Sequence, residues 1–165
     1  MKTKTTIVIT ALAIALAVAF AAWSETATIQ VSASTGYIDL DFQNVDVAYS
    51  DYVTVTTSTT GSDSGNDGPP TLTVTINNAY PGASVDVTFD MYNDGTIPVN
   101  IRCEVKAPSE LTVTISPDTV NDLKPGSSQS ATLKIVAGDN VEEQKTYSAT
   151  VTCTYSQAVP YPKTA

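Results

Sequence analysis

Val85-Asp86-Val87-Thr88-Phe89-Asp90-Met91, then the turn residues Asn93-Asp94-Gly95, then Ile97, Val99, Ile101, Cys103 and Val105 at every second position, form the stretch that decides the fold. A period of two sends the apolar set to one face of a strand and the polar set to the other, the signature of a strand with one buried face. Asn-Asp-Gly between the two runs supplies the turn chemistry that reverses the chain.

The same alternation continues in both directions. Downstream it gives Leu111, Val113 and Ile115, then Ala131, Leu133, Ile135 and Ala137, then Tyr147, Ala149, Val151, Cys153 and Tyr155. Upstream, Leu72, Val74 and Ile76 alternate with threonines, and Ile38, Leu40 and Phe42 stand against Tyr37, Asp39 and Asp41. Val45, Val47 and Tyr49, leading to Val53 and Val55, add one or two strands whose phase is less regular. Tyr80-Pro81-Gly82, Lys124-Pro125-Gly126 and Gly138-Asp139-Asn140 punctuate the series, while helical periodicity is nearly absent. The expected fold is all-β: an immunoglobulin-like, jelly-roll-like sandwich of about eight or nine strands over residues 37–165. Ser58 to Pro70 holds no apolar residue able to enter a core and reads as a flexible loop.

At the N-terminus, Lys2 and Lys4 precede an uncharged apolar run from Ile7 to Ala22. That layout predicts a cleavable signal peptide over 1–22, cut after Ala21 or Ala22, where Ala19-Phe20-Ala21 offers small residues to a peptidase. An uncleaved anchor is the alternative, but the run is shorter than the ~20 residues that span a bilayer comfortably. No junction suited to a type IV pilin leader stands between Lys4 and Ile7. The remaining length suits one domain with one core.

Formal charge is −9, and −11 once Lys2 and Lys4 leave with the leader. So acidic a surface repels phosphate, which argues against nucleic acid and against anionic membrane surfaces as partners. Cys103 and Cys153 are the two cysteines, each in phase with apolar neighbours. In an exported chain they predict an inter-strand or inter-sheet disulfide, the alternative being two buried reduced thiols.

The chain contains no histidine, which removes the commonest general base and the commonest transition-metal ligand together. No G-x-S-x-G elbow is present, and the cysteines lie inside strands, so no catalytic residue is assigned and the chain is read as non-enzymatic. Asp39 and Asp41 share the expected solvent face of one strand and read as a solvated acidic surface. Asp63-Ser64-Gly65-Asn66-Asp67-Gly68 invites comparison with a calcium loop, but Gly65 stands where an oxygen ligand belongs and Val74 where the closing acid belongs. No metal and no cofactor is therefore assigned.

The segment after the leader, 23–36, carries a strand from Thr26 to Ser34 whose apolar face is Ala27, Ile29, Val31 and Ala33, followed by Thr35-Gly36 as a hinge. Such a strand either pairs with its own sheet or adds to the sheet of a neighbour, and a head-to-tail contact of the second kind propagates into a filament.

Val31-Ser32-Ala33-Ser34-Thr35-Gly36-Tyr37-Ile38-Asp39-Leu40, then Asn78-Ala79-Tyr80-Pro81-Gly82-Ala83-Ser84-Val85, then Asn93-Asp94-Gly95-Thr96-Ile97-Pro98-Val99 occur in that order. The chain thereby resembles the camelysin and TasA family of biofilm-matrix fibre proteins and the similar archaeal bundling pilins. The resemblance implies a secreted archaeal or bacterial subunit of a pilus or matrix fibre, built of identical copies joined by donor-strand complementation. Ala27, Ile29, Val31 and Ala33 would be its groove-filling residues. Metalloprotease activity described for some camelysin relatives is not carried over, because this chain lacks histidine. A threonine-rich outer face would suit lateral bundling. The competing expectation is a monomeric secreted immunoglobulin-like module that recognises a carbohydrate or a surface protein.

Overall fold

The computed structural model describes residues 7, 10–13, 29–63, 65–142 and 144–158. The leader boundary after Ala21 or Ala22, Ala27 of the N-terminal segment, and Val159 to Ala165 lie outside them. The chain forms two compact units, Met1–Ser34 and Thr35–Ala165. Among the described residues no helix is long and apolar enough to cross a membrane.

Residues 35–158 hold nine strands: β1 (Asp41–Tyr49), β2 (Thr54–Thr60), β3 (Thr71–Asn77), β4 (Ser84–Tyr92), β5 (Val99–Lys106), β6 (Leu111–Ser116), β7 (Thr119–Leu123), β8 (Ser128–Ala137) and β9 (Tyr147–Gln157). They build two antiparallel sheets, β1-β4-β8-β6 and β2-β3-β9-β5-β7, which bury one common core between them. This is the immunoglobulin-like sandwich that strict alternation demands, because each strand must hide one face against another layer.

From the four-stranded sheet Val85, Val87, Phe89, Met91, Leu133 and Ile135 point inward, and from the five-stranded sheet Leu72, Val74, Val99, Ile101, Ala149 and Val151 meet them. Phe42 and Phe89 pack edge to face, with centroids 4.8 Å apart.

β1 fuses two segments that the sequence separates. Asn44 takes a left-handed conformation (φ 52°), and the pairing with β4 jumps from Gln43↔Asp90 to Asp46↔Thr88, a β-bulge. One extra residue reverses the phase, so buried Phe42 and half-buried Val45 and Val47 all face the core. Asn44 suits the site because its side chain tolerates positive φ, and its Nδ2 donates to Asp90 Oδ2 at 2.9 Å. β7, unread in the sequence, is short and broken at Asp122 (φ 57°), whose N–H donates to Asn100 Oδ1.

One expected boundary is corrected. β2 runs to Thr60, so the loop proper begins at Gly61 and not at Ser58; Ser58 pairs with Thr73. The strand expected over Thr26 to Ser34 is not formed over its described part, 29–34, because an extended segment keeps strand geometry only when a second strand takes up its N–H and C=O groups.

Candidate functional site

Cys103 and Cys153 are bonded, as direct cross-strand partners on β5 and β9 within one sheet. Their position is that of a pair that does not exchange backbone hydrogen bonds: Cys103 N–H donates outward to Asp118 O at 2.8 Å and Cys153 N–H to Pro70 O at 3.2 Å. In such pairs the Cα atoms approach most closely, here to 4.0 Å, which lets two short side chains bridge. The bridge faces the core, with Met91 Sδ 3.6 Å from Cys103 Sγ.

A polar cluster sits where the chain enters β1. The turn that precedes β5 is organised by Asn93, fully buried, whose Nδ2 donates to Ile97 O and Leu123 O and whose Oδ1 accepts from Gly95 N–H, each at 2.9 Å. That turn holds the incoming chain. Tyr37 N–H donates to Thr96 Oγ1 at 3.0 Å, Thr96 N–H to Tyr37 O at 2.9 Å, and Tyr37 Oη–H to Asp94 O at 3.0 Å. The approach is so close that a Cβ on Gly95 would lie 2.7 Å from Asp39 N and 2.8 Å from Tyr37 O.

On the other side the 61–70 loop closes in: Phe42 N–H donates to Ser62 Oγ at 3.0 Å, and Gly65 N–H to Asp94 Oδ2 at 3.4 Å. Asp39 and Asp41 are therefore buried, 0% and 4% exposed, and the expected solvated acidic face is corrected. The alternation is real, but turn and loop cover its polar side at Asp39 and Asp41.

Asp39 Oδ1 accepts from the Tyr155 hydroxyl at 3.2 Å. Asp39 Oδ2 and Asp41 Oδ1 are buried and have no hydrogen-bond partner among the described residues. Asp67, from the loop, completes a group of three carboxylates whose facing oxygens lie within 4.8 Å of one another. Burial pushes the Asp41 carboxyl up from 3.8 to about 6, with the charges of Asp39, Asp94, Asp67 and Asp63 adding to it. Burial raises Asp39 as well, against the opposing pull of the Leu40 backbone and Tyr155. Burial and the neighbouring Asp39 charge push the Tyr155 phenol up to about 12.

Of the N-terminal residues singled out in the sequence, Ile29 and Val31 are 84% and 86% exposed, Ala33 is exposed too, and Ala27 lies outside the described residues. Among the described residues the two sheets end in four edge strands, β1, β6, β2 and β7. β1 is broken by its bulge and carries Asp46, and β7 is short and broken at Asp122. β2 presents exposed threonines around one half-buried apolar residue, Val55.

β6 differs: Leu-Thr-Val-Thr-Ile-Ser carries no charge, pairs with β8 in unbroken register, and leaves Val113 and Ile115 half-buried. Gly138 N–H donates to Glu110 O at 2.8 Å, so alternation along the ladder directs Thr112 and Thr114 backbone groups to β8 and those of Leu111, Val113 and Ile115 to the open side. An uncharged, unbroken edge strand of this kind is what natural sheets ordinarily protect.

At another point of the domain, Asn78, Ala79, Tyr80 and Gln144 line a shallow depression, with Tyr80 and Tyr52 among the exposed large side chains.

Residues 79–156 are similar to the family described as NPCBM-associated, NEW3 domain of alpha-galactosidase. No curated relative and no solved structure matches. The NEW3-like stretch takes in Ala79 and Tyr80 and runs through β4 to β8 and most of β9. It includes both cysteines and the buried Asn93, and leaves out Asp39, Asp41 and Asp67.

Proposed function

We propose that this chain is a non-enzymatic subunit of an extracellular filament, a pilus or matrix fibre of the type its resemblance to the camelysin and TasA proteins implies. Identical copies join head to tail, the segment holding Ala27, Ile29, Val31 and Ala33 of one copy adding to the β6 edge of the next. The observation that carries the reading is the exposure of Ile29 and Val31 on an alternating segment that forms no strand over 29–34. Two large β-branched side chains in water are unfavourable by ~1.5–3 kcal/mol each relative to full burial. Val113 and Ile115 on β6, with Val105 and Val120 half-buried on the strands of the other sheet, offer the matching apolar seam. Main-chain hydrogen bonds give such strand addition its affinity, and alternate side chains give it register. The disulfide suits an oxidising, extracellular setting. Hydroxyl rows such as Thr56-Thr75-Ser148 on the outer face of the five-stranded sheet suit lateral contact between fibres. Deleting Glu25 to Ser34 tests the reading: it predicts a folded, monodisperse monomer by sedimentation and no filaments by negative stain. Filaments unchanged by the deletion would overturn it.

The NEW3 similarity favours a second reading, a monomeric secreted module that binds a carbohydrate. The depression around Tyr80 supports it, since an aromatic ring flanked by the amides of Asn78 and Gln144 is the composition sugar sites use. Binding of galactosides in a glycan screen, lost in Tyr80→Ala, by a chain that stays monomeric, would establish this module in place of the filament.

A further inference from the structure

We propose that Asp39, Asp41 and Asp67 form a calcium site that locks the start of β1 to the 61–70 loop. Three carboxylates converge with facing oxygens within 4.8 Å, and two of those side chains are almost completely removed from water. Clustered acids on a surface need no ion, because water and salt screen them. Here the screen is missing. Asp39 Oδ2 and Asp41 Oδ1 are buried and, among the described residues, accept no hydrogen bond, so two like charges face each other and no ion pair among those residues reaches either of them. Lys145, Lys124 and their ion pairs engage other acids. Buried carboxylates in this state either take up protons or coordinate a cation.

The donor set selects the ion. It is all carboxylate oxygen, the chain has no histidine, and both cysteines are consumed in the disulfide, so soft and borderline metals have no ligand to prefer. Calcium fits better than magnesium because the ligands come from loop and strand start, whose spacing tolerates a larger ion with irregular coordination, whereas magnesium demands a tight octahedron and sheds its waters reluctantly. Asp67 is exposed and closes the site from the solvent side, its Oδ2 accepting from Asp63 N–H at 2.8 Å while its other oxygen is left for the ion. Asp94, held by Gly65 N–H at 3.4 Å, adds negative potential beside the site. The EF-hand comparison fails because the ligands are not consecutive: loop residue Asp67 acts with two residues that precede it by 26 and 28 positions.

The inference is independent of the filament reading. The test is made on the chain stripped with EDTA and then titrated with calcium chloride or magnesium chloride, following melting temperature and tyrosine-sensitised terbium luminescence. The Tyr155 ring, bonded to Asp39, is the sensitiser. Calcium should bind one to one with a dissociation constant on the order of 10⁻⁴ M, raise the melting temperature by several degrees where equal magnesium does not, and displace terbium. Asp67→Asn, an exposed change that leaves folding intact, should weaken calcium binding about tenfold. Asp41→Asn should cross over, melting above the parent chain in EDTA and below it in calcium. No calcium-dependent shift at about 10 mM, equal effects of the two ions, or calcium binding undiminished in both variants would overturn the assignment.

Discussion

Cys103 and Cys153 stand opposite each other on β5 and β9 with their Cα atoms 4.0 Å apart and their N–H groups turned away to Asp118 and Pro70. The bond therefore ties two central strands of one sheet and not the two sheets to each other. Its effect on stability comes through the unfolded chain, where it closes a loop between residues 50 positions apart.

Replacing both cysteines by alanine is expected to lower unfolding free energy by ~4 kcal/mol in the chain-entropy treatment. Urea denaturation of the variant, and of the parent chain with and without reductant, measures it. The variant should keep the far-ultraviolet strand signal, because the β5–β9 ladder runs from Val99↔Gln157 to Lys106↔Thr150 without the bond.

Asn93 should be the most sensitive single polar residue in the domain. Asn93→Ala strips partners from two carbonyls, Ile97 O and Leu123 O, and from the Gly95 N–H that shapes the turn holding Tyr37. A loss of about 3 kcal/mol in chemical denaturation is expected, since buried groups left unpaired bear their full desolvation penalty. Asn93→Asp should be no better, because an ionised carboxylate cannot donate to either carbonyl.

Stability of the metal-free chain should depend on pH in the unusual direction. Asp41 has a folded-state value of about 6 against an ordinary 3.8, so the folded chain holds this proton more tightly than the unfolded chain does. Its contribution is complete below about pH 4 and is lost as pH rises through about 6, an effect on the order of 3 kcal/mol. Thermal melts in EDTA between those values should show a falling midpoint, a trend that Asp41→Asn removes. A midpoint that rises across the window would contradict the burial of this carboxyl.

The β6 edge yields a prediction separable from folding. In Val113→Pro the lost N–H is one that faces away from β8, so monomer stability should fall by only ~1 kcal/mol while filament formation fails. Thr114→Pro removes an N–H that β8 uses and should destabilise the monomer by about 2 kcal/mol or more. Denaturation curves and electron micrographs of the two variants distinguish edge from ladder.

Most of this fold is legible in the sequence because a period of two needs no knowledge of the partner strand. Val85 to Met91 and Val99 to Cys103 read correctly, and the phase of Cys103 and Cys153 already placed both on core-facing positions. Alternation fails where a second covering layer arrives from far along the chain. Asp39 and Asp41 occupy polar positions of an alternating run, and nothing local reveals that Tyr155 and the 61–70 loop will close over them. β7 is not legible because Asn121 and Asp122 look like turn residues, and the Asn44 bulge is not because one residue in a left-handed conformation inverts the face of all that follow.

The N-terminal segment is different in kind: its apolar face is plain in the sequence, but under the proposed filament its use depends on a second molecule. Helical reconstruction of filaments formed by the purified chain is the direct measurement. Ala27 to Ala33 of one subunit should lie as an extended strand beside Leu111–Ser116 of the next, with Ile29 and Val31 turned toward Val113 and Ile115. A purified chain that remains monomeric, or filaments in which that segment pairs within its own subunit, would contradict it.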